Sequence, residues 1–341
     1  MKKNIFTLFL FIVLFSIKIQ CENITIASWN INKKHSAELI NAICNFIKND
    51  NIDILCLQEV HLDLIPTLYD IYNELSPNST FVNNLKNELN QRTGHLWAFN
   101  TSANYAIRKD LDPNIYEKYD YIKCPKSQDN VIFYKKDKFN ASDLIGAIGL
   151  NNFEMANDIY KMDKNNIQII EFTTLRSSNK LIVINVHLVF NERSVSGNYA
   201  NNYYRDFKRT YNVYNNFDKN ISIMCGDFNF DKKDLMNKGG DINKSINGMS
   251  KTNYVPNDIH INEPTTLNKA NNFNYTYDQF IFKNDGFKYS IIKKPQRAAS
   301  KSPDGEYIII GTNVTKGQRI PIEEYKANIS DHTPIIMTID L

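Results

Sequence analysis

Asn30, Glu59, His187, Asp227, Asn229, Asp278, Asp331 and His332 each lie at or beside the end of an apolar run. Ile221-Ser222-Ile223-Met224-Cys225 leads into Gly226-Asp227-Phe228-Asn229, and Ser330-Asp331-His332 leads into Pro334-Ile335-Ile336-Met337. Carboxylate, amide and imidazole groups at the end of a buried strand cost free energy unless something uses them. Oxygen donors dominate the set and no cysteine belongs to it, which suits Mg2+, Mn2+ or Ca2+ better than zinc. Histidines among several carboxylates suit proton transfer near neutral pH. No glycine-rich phosphate loop of the nucleotide-binding kind occurs. Together these groups suit the attack of water on a phosphate ester. Singly, each has a structural explanation: Asp-x-Asn is a common turn, a histidine after an apolar strand is commonly a satisfied core residue, and Asp331-His332 would also serve as a strand cap. Their order and number along one chain are what argue for a site.

Such tips need strands to carry them. Ile24 to Ile31 reads as a strand, and Ala37, Ile40, Ile43, Cys44 and Ile47 recur at helical spacing. Ile54 to Leu57 is a short buried strand ending in Gln58-Glu59. Asn130–Tyr134, Ile167–Thr173, Leu181–Val186, Ile221–Cys225, Gln279–Phe282, Tyr307–Ile310 and Ile335–Ile339 complete the predicted strands, with a helix over 203–217. Strand, polar tip, helix, strand, polar tip occurs from Asn30 to Glu59 and again from His187 to Asp227. That repetition predicts two similar β-rich halves packed sheet on sheet, with helices outside and the tips gathered at one edge.

Residues 1–21 have the pattern of a secretory signal peptide: Lys2 and Lys3, an apolar stretch from Ile5 to Ile17, then Lys18-Ile19-Gln20-Cys21. The apolar stretch is short for a membrane span. The expectation is a secreted, extracellular protein with one domain over 22–341, monomeric and without integral membrane association. The full chain carries +3, and Lys2, Lys3 and Lys18 account for that excess, so the mature chain is balanced. Contact with a polyanion must therefore come from local patches. Cys44, Cys56 and Cys225 lie in apolar patterns and read as core residues; Cys124 stands apart.

The ordered strings Ser28-Trp29-Asn30-Ile31, Leu57-Gln58-Glu59, Asn185-Val186-His187-Leu188, Gly226-Asp227-Phe228-Asn229, Tyr277-Asp278-Gln279-Phe280 and Ser330-Asp331-His332-Thr333-Pro334 resemble the endonuclease/exonuclease/phosphatase superfamily, and within it the secreted DNase I-like branch. The resemblance implies an α/β protein with a four-layered α/β/β/α sandwich and metal-dependent phosphodiester hydrolysis. It implies that Glu59 holds the principal divalent cation, Mg2+ with Mn2+ or Ca2+ as alternatives, with Asn30 and Asp331 nearby. Asn229 would grip a phosphate oxygen and Asp227 would position the attacking water. His187 and His332 would form the acid–base pair, with Asp278 orienting His332. A histidine in the Asn185–Leu188 string resembles the DNase I, toxin-subunit, sphingomyelinase and inositol-phosphatase members, where the abasic-site repair branch has a tyrosine motif.

The chain departs from that branch at Gln128, which stands where a glutamate supports the first histidine, and Asp129 is one residue off. For the minor-groove arginine of DNase I-like enzymes, Arg176 is the nearest basic residue before His187. DNA is the expected substrate, through basic patches at Lys135-Lys136-Asp137-Lys138, at Lys293-Lys294 with Arg297 and Lys301, and at Lys316 with Arg319. Phospholipid or phosphoinositide head groups are the alternative; an exposed aromatic hairpin would favour lipid, and Trp97-Ala98-Phe99 reads either as such a hairpin or as a core segment.

Overall fold

The run from Ile24 to Trp29 has only Thr25 and Ser28 as polar members, and it forms strand β1 (Asn23–Asn30), buried along nearly its whole length. The structure is a computed structural model, described over residues 22–61, 80–101, 128–143, 167–188, 210, 214, 217, 221–229, 261–282 and 291–341. Helix α1 (Ala37–Asp50) follows, opened by Ser36, whose side chain accepts from the Leu39 N–H at 3.0 Å. It closes at Asn51 in the left-handed conformation. The helix lays Leu39, Ile43, Phe46 and Ile47 on the sheet and returns the chain. Strand β2 (Ile54–His61) then runs parallel to β1, with Asn30 opposite Gln58.

Helix α2 (Thr80–Thr93), β3 (Trp97–Thr101) and β4 (Gln128–Lys135) extend this sheet on one side. Strands β16 (Ile335–Asp340) and β12 (Ile291–Arg297) extend it on the other, giving the order β12-β16-β1-β2-β4-β3. The second sheet contains β5 (Phe139–Asp143), β6 (Ile167–Thr174), β7 (Lys180–His187), β8 (Ile221–Asp227) and β11 (Asp278–Ile281), in the order β11-β8-β7-β6-β5. Each sheet has one parallel pair, β1 with β2 and β7 with β8, flanked by antiparallel neighbours. The expected repetition of the two halves is thus present in the pairing. Shorter elements complete the description: β9 (Thr266–Leu267) with β10 (Phe273–Tyr275), the sheet β13 (Ala299–Lys301), β14 (Tyr307–Ile310) and β15 (Gln318–Pro321), and helix α3 (Ile322–Asn328).

Two cores follow from strand alternation. Ile24, Ile26, Ile54, Cys56 and Ile132 pack between the sheets against Phe172, Val183, Ile223, Cys225 and Phe280. The opposite face of the first sheet, including Trp29, Leu57 and Phe133, packs on Phe46, Leu85, Leu89 and Tyr325 of the helices. Continuing the inner-face alternation to the strand ends places Asn30, His187, Asp227 and Asp278 at one end of the space between the sheets. The site is therefore the polar end of the inter-sheet core.

The structure corrects several expectations. Trp97 is 4% exposed and donates through Nε1 to Thr93 Oγ1 at 2.9 Å, so Trp97-Ala98-Phe99 is a sheet strand, not an exposed hairpin. Lys135 and Lys138 both bind the buried Asp53 carboxylate, at 2.9 and 3.0 Å, and form no free basic patch. Arg297 lies over the Phe273 ring and donates to Pro264 O and Ala299 O. Arg319 lies over the Tyr307 ring but stays exposed, as does Lys316, so these two cations remain at the surface. Arg176 shares a cavity of about 530 Å³ with Glu22, Asp53 and Lys135, at the strand ends remote from His187. Cys44, Cys56 and Cys225 are buried free thiols, as expected. Cys124, residues 1–21 and most of 203–217 lie outside the described residues, although Thr210, Tyr214 and Phe217 are buried at helical spacing. No helix among the described residues is long and apolar enough to cross a membrane.

Gly226 lies opposite Val186 in the parallel pair with φ +143°, and a Cβ there would land inside the Val186 backbone. Gly226→Ala is expected to destabilise the protein by about 4 kcal/mol or more, read from denaturant unfolding.

Candidate active site

Strand ends alone would leave Glu59 on the wrong face. Leu57 and Val60 both belong to the outer core, although strict alternation would put them on opposite faces. The pairing of β2 with β4 shifts register between Leu57 and Val60, and Glu59 has φ +54°. This is a β-bulge, and a bulge re-aims a side chain beside a site. It turns the Glu59 carboxylate inward, where Oε1 accepts from Asn30 Nδ2 at 3.1 Å and lies 3.4 Å from His187 Nε2. Asn229 also has φ +54°. Its N–H donates to Asp227 Oδ1 at 2.7 Å and its Nδ2 to Leu188 O at 2.5 Å. That closes a side-chain turn directly after β8.

Asp227 is the meeting point. Its Oδ2 accepts from Asn30 Nδ2 at 2.8 Å and Asn229 Nδ2 at 3.3 Å. The same oxygen is 4.0 Å from His187 Nε2 and 3.7 Å from His332 Nε2. Asp278 Oδ2 contacts His332 Nδ1 at 2.9 Å, so the Nε2 edge of that ring faces the site. Asp331 is more exposed; its Oδ1 accepts from Asn32 Nδ2 at 2.8 Å and lies 4.0 Å from His332 Nε2. The structure thus links Asn30, Glu59, His187, Asp227, Asn229, Asp278, Asp331 and His332 into one continuous set of contacts. Gln128 is opposite His61 in register, at the site end of the sheet, and its side chain lies outside the described residues.

The loop carrying Asp331-His332 is held by residues the sequence did not identify as part of the site. Ser330 Oγ donates to Asn30 O at 2.7 Å and accepts from the His332 N–H at 2.9 Å. Trp29 Nε1 and Tyr325 Oη both donate to His332 O, at 3.1 and 2.5 Å. Thr265 Oγ1 accepts from the Asp278 N–H at 3.1 Å, and Thr265 O accepts from Thr333. Trp29 and Ser330 stood within the motif strings; nothing in the local pattern around Thr265 or Tyr325 marks their contacts.

Burial and neighbouring charge set the protonation states. Burial pushes the Glu59 carboxyl up, but the hydrogen bond and charge of His187, with the Asn30 amide, outweigh it and hold the group at about 2. Burial dominates at Asp227 and raises it, reinforced by Asp278 and opposed by His332, His187 and Asn30. Burial lowers His332, yet the charges of Asp278, Asp227 and Asp331 overcome that and raise it to about 10. A raised histidine stabilises the fold fully below its ordinary 6.5, and the contribution is lost as pH rises through about 10.

Glu59, His187 and Asp227 present ligand atoms within 4.8 Å of one another, and so do Asp227, Asp278 and His332. Carboxylate oxygens with imidazole nitrogens, and no thiolate, fit a hard divalent cation. Buried carboxylates, paired imidazoles and that donor set define the class, a metal-binding phosphoester hydrolase. The endonuclease/exonuclease/phosphatase family model matches residues 27–332, and the chain belongs to that family. No curated protein matches the sequence. Among solved structures, a family protein from Bacteroides thetaiotaomicron has a TM-score of 0.52 at 12% identity, covering 94% of this chain and 99% of its own. TDP2 from D. rerio, complexed with a single-strand DNA product, has a TM-score of 0.47 at 15% identity, covering 94% and 100%. A Bacteroides vulgatus family protein has 0.47 at 12%, covering 94% and 99%.

In metal-free protein, Asp278→Asn should drop the His332 imidazole from about 10 toward 6.5, read by NMR titration of the ring. An unchanged titration would remove Asp278 as the group that holds the charge.

Proposed function

We propose that the protein is an exported, divalent-metal-dependent endonuclease of the DNase I type that hydrolyses DNA phosphodiester bonds. One observation carries the reading: His187 Nε2 and His332 Nε2 approach the same Asp227 oxygen, at 4.0 and 3.7 Å, from opposite parts of the chain. A phosphate touching both imidazoles must sit beside that carboxylate. Glu59 would hold the cation, Mg2+ with Mn2+ or Ca2+ as alternatives, together with Asn30 and Asp331. When bound, the cation supplies positive charge to the phosphate oxygens.

The chain's own residues supply the rest. Asp227 orients the attacking water and His187 takes its proton, the oxygen bonding to phosphorus as the ester P–O bond breaks. His332, protonated and held by Asp278, gives its proton to the leaving oxygen. The Asn229 amide grips a non-bridging phosphate oxygen. The imidazolium and amide donors oppose the charge that develops in the transition state.

DNA is favoured over lipid by the rim of the site. Tyr275 and Tyr277, just before Asp278, stack at 4.8 Å between ring centroids and 4° between planes, and Tyr275 is 43% exposed. An exposed ring beside a phosphodiester site suits an unstacked base. The aromatic strand that would have met lipid is buried at Trp97. The same reading carries a four-layered α/β/β/α sandwich, supported by the buried helical spacing of Thr210, Tyr214 and Phe217. It also carries a removable leader over residues 1–21 and a monomer.

Plasmid nicking with Mg2+ and with EDTA, run beside sphingomyelin and phosphoinositide assays, tests it. Metal-dependent nicking is expected; lipid hydrolysis without nicking would overturn the DNA assignment. His187→Ala and His332→Ala should each lower kcat by at least about 10²-fold with the circular-dichroism spectrum intact. Near-normal turnover in either would sink that residue's role. Tyr275→Ala should raise KM for single-stranded DNA roughly tenfold, as expected for loss of one stacked base.

A further inference from the structure

One step from the site toward the core, the inner faces of both sheets carry neutral polar side chains where apolar ones would pack. Ser28, Gln58, Gln168 and Asn185 are all fully buried there. Gln58 Nε2 donates across the gap to Asn185 Oδ1 at 2.7 Å and within its own sheet to Ser28 Oγ at 2.9 Å. Asn185 Nδ2 bonds back across the gap to Leu57 O at 3.0 Å. Asn130 Nδ2 reaches the Asn185 carbonyl at 3.1 Å. Strands β2 and β7 are therefore tied in both directions through one pair of amides.

The placement of that pair is specific. Gln58 directly precedes the bulged, left-handed Glu59. Asn185 is two residues before His187 on the same face, and Ser28 is two before Asn30. The backbone at the bulge is pinned from the turn after β1: Gln58 O accepts from the Ile31 N–H at 3.1 Å and Glu59 O from the Lys33 N–H at 2.9 Å. Apolar residues of similar volume would fill this layer with less desolvation. What amides add is directional bonding, which fixes the separation and register of two strands that share no ladder.

We propose that Gln58 and Asn185 are positioning residues that set the spacing of Glu59 from His187, and through it the geometry of the Glu59, His187 and Asp227 donor cluster. The inference rests on the metal-dependent reading above. Its reach is to residues that touch neither substrate nor cation. Removing such a support weakens metal binding typically about 10–100-fold.

The test uses Gln58→Met, Asn185→Leu and the double variant in the full chain, with Mn2+ binding measured by calorimetry without substrate. Each single variant should weaken Mn2+ binding about tenfold or more. The double variant should be little worse than the poorer single one, because both remove the same link. The comparison is Ile308→Ala, a fully buried residue in the outer core. It should lower thermal stability and bind Mn2+ as the wild type does. Wild-type Mn2+ binding in a folded Gln58→Met or Asn185→Leu protein would overturn the proposal, and either single variant suffices to decide. An equal loss of affinity in Ile308→Ala would overturn it too, by showing that general destabilisation is enough. Absence of Mn2+ binding in the wild type would overturn both the proposal and the metal-dependent reading; failure confined to the variants' predicted loss overturns the positioning role alone.

Discussion

A carboxylate sealed from water is the constraint around which this molecule is arranged. Asp227 is about 1% exposed, and an isolated charge in that position would carry a desolvation penalty of several kcal/mol. The compensating groups are distributed: Asn30 comes from the first sheet, His187 from the neighbouring strand, and His332 from the loop before β16. Neither sheet can stabilise the carboxylate alone. The packing of the two sheets and the formation of the site are therefore a single event, and the site reports on whether the sheets are correctly seated.

Parallel pairing explains why the groups meet at one edge. Parallel neighbours end together, so β1 with β2 brings Asn30 beside Glu59, and β7 with β8 brings His187 beside Asp227. Alternation then decides which of the terminal side chains look between the sheets. One exception was required, and the bulge at Glu59 provides it. At the end of the strands opposite the site, Asp53 accepts from Thr25, Lys135 and Lys138, and this ion cluster closes the sandwich there.

Much of this was legible in the sequence because burial leaves a periodic record. Strand β14 falls on the same residues as its expectation, and β1, β6, β7 and β16 fall within one residue of theirs at each end. Polar residues stranded after apolar runs marked the site because nothing else justifies their cost. Long-range partners left no such record. Lys135 and Lys138 look like a basic patch until Asp53, more than eighty residues away, is seen between them. Trp97-Ala98-Phe99 reads either as a hairpin tip or as a core strand until Thr93 and the sheet are seen to cover Trp97. Gln58 and Asn185 stood inside the motif strings, yet their side-chain pairing crosses between sheets and has no periodicity to reveal it. The left-handed backbone of Glu59 was also hidden, since glutamate is an unusual residue for that conformation.

The position of β16 carries a consequence for the timing of activity. This strand lies between β12 and β1 in the interior of the first sheet, and the loop feeding it supplies Asp331 and His332. Contacts that join residue 30 to residue 330 close an exceptionally long loop and are slow to form. A chain that has not yet received β16 has an open sheet and lacks Asp331 and His332 at the site. Assembly of the site is thus coupled to the docking of β16, so a chain without that strand in place has no complete site.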